Sequence, residues 1–541
     1  MPATDFEGMR TLVVGIDGAS LDVLADRGED VVPAITDLLH SGVSGDLESQ
    51  IPPWTPSAWP SIYTGVNPGK HGVFGFLRFE GYDWDVVNYT DVREHTVWEL
   101  LSDHGYTSVV VNTPVTHPPS EFDGALVPGY VAPEEPACHP EGLLDELEAE
   151  IGEYRVYDDA DDRNTDEEIA EGYEELVEMR GEAFRYLADE FDPDFGFLQF
   201  QQTDTAFHEH PENDAVVDAV YAAADREIAA TLEACDPDVV LLVSDHGIGP
   251  YDGHEFRANS FLRDRGDVAT TAGEGGMPSW SSIARNRLQD GEEGGQPDPS
   301  ALERTMSMAA KVGVTSQRIE TVVKALGLED LAVRVAPTDA IRAASEQVDF
   351  AESRAYVRDR IELGVRINLE GREPAGVVPE SEYESVRAEL VDALSAVRTP
   401  DGEPVFESVV RREDVFDGPY LEEAPDIVVV PSEFDQYLSA SLRDEQFGPP
   451  SEPWNHKLDG VVAAAGDVDD DASLAGAHIF DVAPTVLATF GLPAADRMDG
   501  LVLPVVDDVG SEPYPEYEGD DVTTEDEAVE DRLEDLGYLE R

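Results

Sequence analysis

The run Thr11–Ile16 (TLVVGI) is wholly apolar or β-branched and stops at Asp17 and Gly18, as a strand buried on both faces does. Comparable runs recur at 106–111, Phe195–Phe200, Val239–Val243, 427–430 and 461–465, and helical patterns at 94–104, 166–190 and Asp214–Cys235 fall between several of them. Buried strands alternating with helices predict an α/β fold built on a doubly wound, mostly parallel sheet. Such a sheet collects its site residues just past the carboxyl ends of its strands.

Composition changes after about residue 259. Residues 265–300 are rich in Gly, Ser, Pro and Glu and read as an exposed connection. Residues 301–347 look helical, and 350–420 alternate short strands with one helix around 381–398. The expected organisation is a core over 1–259, an inserted cap over 260–420, a second part of the core over 421–505 and an acidic tail over 506–541. Within the tail, 527–538 has an amphipathic pattern that suits a short docked helix. The stretch 311–328 superficially resembles a helix-turn-helix, but with so little positive charge around it a packing element of the cap is the better reading.

The 541 residues hold 117 Asp and Glu against 35 Lys and Arg, a formal net charge of -82. In dilute buffer this surface repels itself. At roughly 1 M salt the Debye length falls to about 3 Å and the repulsion is screened, so a halophilic protein is expected. Only Lys70, Lys311, Lys324 and Lys457 are lysines. The charge argues against nucleic-acid and anionic-membrane surfaces, both of which need a basic footprint. A small anionic substrate can still enter where metal ions supply local positive charge. Cys138 and Cys235 stand far apart and form no metal or redox motif. No apolar stretch approaches the roughly 20 residues of a membrane span, and a cytoplasmic location is expected.

Several side chains suited to metals or to nucleophilic attack stand where these strands end. Asp17 offers a hard oxygen ligand, or else caps the next helix. Asp245 and His246, in VSDHG, sit on a tight turn from which both can reach one cation. Asp204 and His208 are four apart after the strand FGFLQF, and on a helix they would share a face and converge on one cation, with His210 as a rival ligand. His456, before a late strand, would complete a three-ligand site. Thr55 lies between Pro53 and Pro56, placed to open a helix whose N-terminus favours a phosphate. Ser57 and Ser61 are the competing hydroxyls. A threonine hydroxyl attacks poorly at neutral pH unless a metal ionises it, so the set reads as two metals facing one hydroxyl, the equipment of phosphoryl transfer.

The segments GIDGAS, PPWTPSAWPSIYTGVNPGKHGVFGF, VNTPVTHPP, QQTDTAFH, VSDHGIGP, NHKLDG and IFDVAPTVLATFGLP occur in this order. Together they resemble the type I phosphodiesterase/nucleotide pyrophosphatase branch of the alkaline phosphatase superfamily, over nearly all of 10–540. The resemblance implies an alkaline phosphatase-like sheet and a metal-dependent hydrolase of small-molecule phosphoesters. It implies one metal on Asp204, His208 and His456, and a second on Asp17, Asp245, His246 and the hydroxyl of Thr55, the catalytic nucleophile. Zinc is the expected metal, with manganese as the alternative. Asn112 falls where such enzymes contact a phosphate, and Lys70 and His71 are further candidates for substrate binding. The sequence around the nucleophile departs from the nucleotide pyrophosphatases, with Thr-Pro-Ser-Ala-Trp where they carry Thr-Phe-Pro-Asn. A phosphomonoesterase or phosphomutase on the same scaffold, or a noncatalytic metal-binding protein, stays open at this point.

Overall fold

A computed structural model describes residues 8–158, 165–272 and 346–517. Its centre is an eight-stranded sheet of β1 (Thr11–Ile16), β2 (Val43–Glu48), β3 (Ser108–Val111), β4 (Gly124–Val127), β5 (Phe195–Phe200), β6 (Val239–Val243), β7 (Asp459–Gly466) and β8 (Ala477–His478), in the order β8-β2-β7-β6-β1-β5-β3-β4. β1 is central and pairs in parallel with β5 and β6, Thr11 standing opposite both Phe195 and Val239. β3 and β4 extend the parallel set. β7 runs against both of its neighbours, β6 and β2, so the sheet is mixed at one side only.

The alternation along β1 separates two apolar layers. Leu12, Val14 and Ile16 pack with the long helices α2 (Asp166–Phe191) and α4 (Asp214–Cys235) on one face. Val13 points the other way, toward α1 (Thr55–Thr64) and the helices Val97–Asp103 and Val482–Thr489. Burying a large apolar side chain in such a layer stabilises the fold by about 1.5–3 kcal/mol. α2 starts at Thr165, whose hydroxyl accepts from Glu168 N while the Glu168 carboxylate accepts from Thr165 N. That reciprocal cap answers two of the four free amides of a helix start.

The run 427–430 does not join this sheet. It lies in a strand, Ile427–Pro431, that pairs antiparallel with Gly364–Ile367 and Phe406–Arg411 in a separate four-stranded sheet, with Ala355–Tyr356 at its edge. A short apolar run shows that a strand is buried, not which neighbours bury it. The helix Tyr383–Ser395 packs on this second sheet. Inside it, both guanidinium arms of Arg372 bond the Asp426 carboxylate at 2.7 Å, and Tyr383 adds a third bond at 2.7 Å.

The tail is structured as far as it is described: Ser511–Glu512 pairs in parallel with Ala494–Ala495, and Tyr514 donates to Pro493 O at 2.9 Å. Most of the expected helical stretch 301–347, the helix-turn-helix-like 311–328 and the amphipathic 527–538 lie outside the described residues. Among the described residues no helix is long and apolar enough to cross a membrane.

Candidate functional site

Asp17 follows β1, Asn112 follows β3, Gln201 to Asp204 follow β5, and Ser244 to His246 follow β6, so four adjacent parallel strands deliver polar residues to one edge. His456 reaches the same edge from the strand Trp454–Lys457, which pairs with Gly247–Pro250 directly after His246. Thr55 is the first residue of α1, with Trp54 at the cap and Pro56 in the first turn. Pro56 has no N–H and Ser57 N donates to Trp54 O, so in this first turn the amide left to face an anion is that of Thr55.

Two clusters form. In the first, Asp204 and His208 lie on α3 (Gln202–Glu209), one turn apart, as the spacing predicts. His208 Nε2 is 2.9 Å from His456 Nε2, and Asp204 Oδ1 is 3.4 Å from the former and 3.7 Å from the latter. In the second, Thr55 Oγ1 lies 3.4 Å from Asp17 Oδ1 and 3.4 Å from His246 Nε2. His246 Nε2 is also 3.2 Å from Asp245 Oδ2 and 3.6 Å from Asp17 Oδ1. The His246 and His456 rings stack with centroids 3.6 Å apart, which joins the clusters into one site. Asp17, Asp245 and His246 are fully buried, and Thr55, Asp204 and His456 nearly so.

The donor set fits divalent cations. His456 Nδ1 lies 2.8 Å from Pro53 O, and His246 Nδ1 3.0 Å from Gly247 O. A carbonyl only accepts, so both Nδ1 atoms carry a proton, and in the neutral rings a metal ligand requires, both Nε2 atoms turn a lone pair toward the carboxylates. This backbone anchoring is typical of ligand imidazoles. Asp204 Oδ1 and Asp245 Oδ2 are buried without a hydrogen-bond donor. Lone pairs aimed at buried carboxylate oxygens repel unless positive charge lies between them.

The electrostatics agree. Burial, then the charges of Asp245 and Asp204, push the Asp17 carboxyl well above the usual range. Burial, then Asp204, does the same to Asp245. Burial also acts to raise Asp204, but His208, His456 and His246 outweigh it and hold that carboxyl low. Burial and the neighbouring His246 drive His456 down, whereas Asp204 overcomes burial to raise His208.

Positioning groups that the sequence reading passed over hold Asp17. Trp59 Nε1 and Gln199 Nε2 both donate to Asp17 Oδ2 at 2.8 Å, which leaves Oδ1 toward Thr55. Trp59 is one helical turn beyond Thr55, and Gln199 is the polar residue in the apolar strand FGFLQF; those were the available signals. A Cβ at position 15 would lie 2.5 Å from the Trp59 ring, so only glycine lets the indole reach Asp17.

Other expected residues are placed differently. Ser57 Oγ donates back to Trp54 O at 3.1 Å, and Ser61 bonds Gln50 and His71. Thr55 is therefore the hydroxyl of α1 that faces the carboxylates. Asn112, in a left-handed conformation (φ 64), gives its amide to Gln199 Oε1 at 2.8 Å, so it braces the Asp17 support. Lys70 is not brought into the cluster: its ammonium bonds Arg497 O at 3.1 Å and pairs with Asp499 and Asp417. His71 is wholly buried, with Nδ1 accepting from Val73 N and Nε2 2.9 Å from Ser61 Oγ. His210 ends α3 beside Glu209 and Tyr173, outside both clusters.

A family profile described as "Type I phosphodiesterase / nucleotide pyrophosphatase" matches residues 11–456. The chain belongs to this family. Type I phosphodiesterases are phosphoester hydrolases of the alkaline phosphatase superfamily, and this chain is one of them. No curated protein matches it in sequence. Among solved structures it is similar to phosphonoacetate hydrolase from Sinorhizobium meliloti 1021 in complex with phosphonoformate, at 17% identity and a TM-score of 0.52, covering 90% of this chain and 96% of that one. The same hydrolase with phosphonoacetate gives 16% and 0.51 over the same shares. These likenesses show the shared fold. Murine ectonucleotide pyrophosphatase/phosphodiesterase 5 is more distant, at 11% identity and a TM-score of 0.46, covering 92% of this chain and 100% of that one.

Proposed function

We propose that this family member hydrolyses small-molecule phosphodiesters through a covalent phosphothreonine at Thr55. Asp204, His208 and His456 would hold one divalent cation, and Asp17, Asp245, His246 and the Thr55 oxygen a second. Imidazole-rich ligation favours zinc over magnesium, with manganese as the alternative. Bound there, the cations would ionise the Thr55 hydroxyl and neutralise charge on the phosphoryl oxygens.

The chain's own groups do the positioning. Thr55 Oγ1 forms a bond to phosphorus while the bond to the leaving oxygen breaks on the opposite side, toward Asp204, His208 and His456. A water entering from that side then bonds to phosphorus, the bond to Thr55 breaks, and the hydroxyl returns. In total one water is divided between the released alcohol and the released monoester. Trp59 and Gln199 keep Asp17 oriented throughout, and the N-terminus of α1 favours the anionic phosphoryl group. The second sheet and the described parts of 260–420 are assigned as a cap of the core, and the acidic exterior to work in concentrated salt.

The observation that carries the reading is the 3.4 Å approach of Thr55 Oγ1 to both Asp17 and His246. The test compares bis-p-nitrophenyl phosphate with p-nitrophenyl phosphate in concentrated KCl, with zinc or manganese added. Metal-dependent release that is faster from the diester supports it. Faster release from the monoester would favour a phosphomonoesterase, and none from either would contradict hydrolysis.

A further inference from the structure

A cation of the second sheet is tied by a chain of hydrogen bonds to the strand that carries His456. Arg360 lies between the strands Ala355–Tyr356 and Gly364–Ile367, where Leu363 N donates to Arg360 O at 3.2 Å. The approach to this turn is fixed by Asn259, which donates to Val357 O and accepts from Val357 N, both at 2.9 Å. Arg360 Nη2 bonds Glu452 Oε1 at 2.8 Å, and the guanidinium lies 5.0 Å from the centroid of the Tyr437 ring.

Both supports lead to the site. Glu452 Oε2 accepts from Asn455 Nδ2 at 2.6 Å, and Asn455 Oδ1 accepts from His456 N at 2.8 Å. Tyr437 neighbours Tyr251, whose hydroxyl donates to His456 O at 2.7 Å. The arginine side chain is 27% exposed. Its Nη1 and Nε have no partner among the described residues, so they remain to receive a planar oxyanion.

In the proposed in-line displacement from Thr55 the leaving group departs toward His208 and His456, and Arg360 is tied to the latter. We propose that Arg360 is a specificity residue that binds an anionic group, a phosphate or a carboxylate, carried by the leaving portion of the substrate. The inference rests on the proposed Thr55 hydrolysis for its direction, but not for the binding itself. In a chain of net charge -82, a rigid guanidinium next to the site distinguishes a charged leaving group from a neutral one.

The test uses the metal-loaded enzyme and its Arg360→Ala and Arg360→Lys variants. ATP, cleaved to release pyrophosphate, is compared with bis-p-nitrophenyl phosphate, whose leaving group bears no second anionic group. Arg360→Ala should lower kcat/KM for ATP by about tenfold or more while the diester changes less than about twofold, and Arg360→Lys should recover part of the loss. An equal loss on both, or none on ATP, overturns the proposal. Inhibition by pyrophosphate, and its thermal-shift binding, should weaken in Arg360→Ala; undiminished binding overturns it as well. If neither substrate is hydrolysed but pyrophosphate binding still depends on Arg360, the hydrolytic reading fails and the anion site stands. A wild-type enzyme that binds no pyrophosphate and spares ATP refutes the site itself. A carboxylate analogue, phosphonoacetate, run as a second inhibitor separates carboxylate from phosphate recognition.

Discussion

His208 and His456 meet Nε2 to Nε2 at 2.9 Å beside the Asp204 carboxylate, although 248 positions separate them in the chain. With its Nδ1 proton given to Pro53 O, the neutral His456 ring offers a lone pair there. A proton on His208 meets it in the protein alone, and a cation held by both rings and Asp204 would meet it in the loaded enzyme. His456→Ala should therefore reduce bound metal from two ions per chain to one. Its activity should fall by more than the roughly tenfold to hundredfold that changes in outer-shell partners cost. Metal analysis of the purified variant beside its turnover checks both.

Trp59 and Gln199 predict a different pattern, since neither is a proposed ligand. Trp59→Phe keeps the packing and removes one donor to Asp17 Oδ2, and Gln199→Leu removes the other. Each should lower kcat about tenfold, within the range for outer-shell partners, with both metals retained. Loss of metal in either variant would show that they hold the ligand in place rather than tune it.

His71 predicts an acid limb of stability. Burial lowers its pKa from 6.5 to about 3, so the unfolded chain binds the extra proton between those values. The folded form thus loses stability as pH falls from about 6.5 toward 3, by up to about 1.4 kcal/mol per pH unit for this one group. His71→Gln should flatten that limb in denaturant melts taken at a series of pH values, whatever it does to stability at neutral pH. His117, lowered to about 4 by burial, adds to the same limb in both proteins.

How far the sequence reaches can be seen at particular residues. Phe195–Phe200, Val239–Val243 and Asp214–Cys235 have in the structure the bounds read from their patterns, because each is long, apolar on the right period and closed by a turn. Val43–Glu48 was not legible: its sequence VSGDLE buries only Leu47 fully, and backbone pairing rather than side chains makes it a strand. The 427–430 run was legible as a strand but not as a member of the second sheet. At the site, residue types and strand ends pointed to Asp17, Asp245 and His246, whose turns are local. The meeting of His456 with His208 depends on long-range pairing of Trp454–Lys457 with Gly247–Pro250. Lys70 looked available because its neighbours were known; its ion partners Asp417 and Asp499 come from far along the chain.

The central claim is that the Thr55 oxygen attacks phosphorus. Its most direct measurement is the turnover of bis-p-nitrophenyl phosphate by Thr55→Ala, with fold and metal content matched to the wild type. The account predicts a loss of at least about a thousandfold, as for other nucleophile deletions. Turnover comparable to the wild type would contradict it.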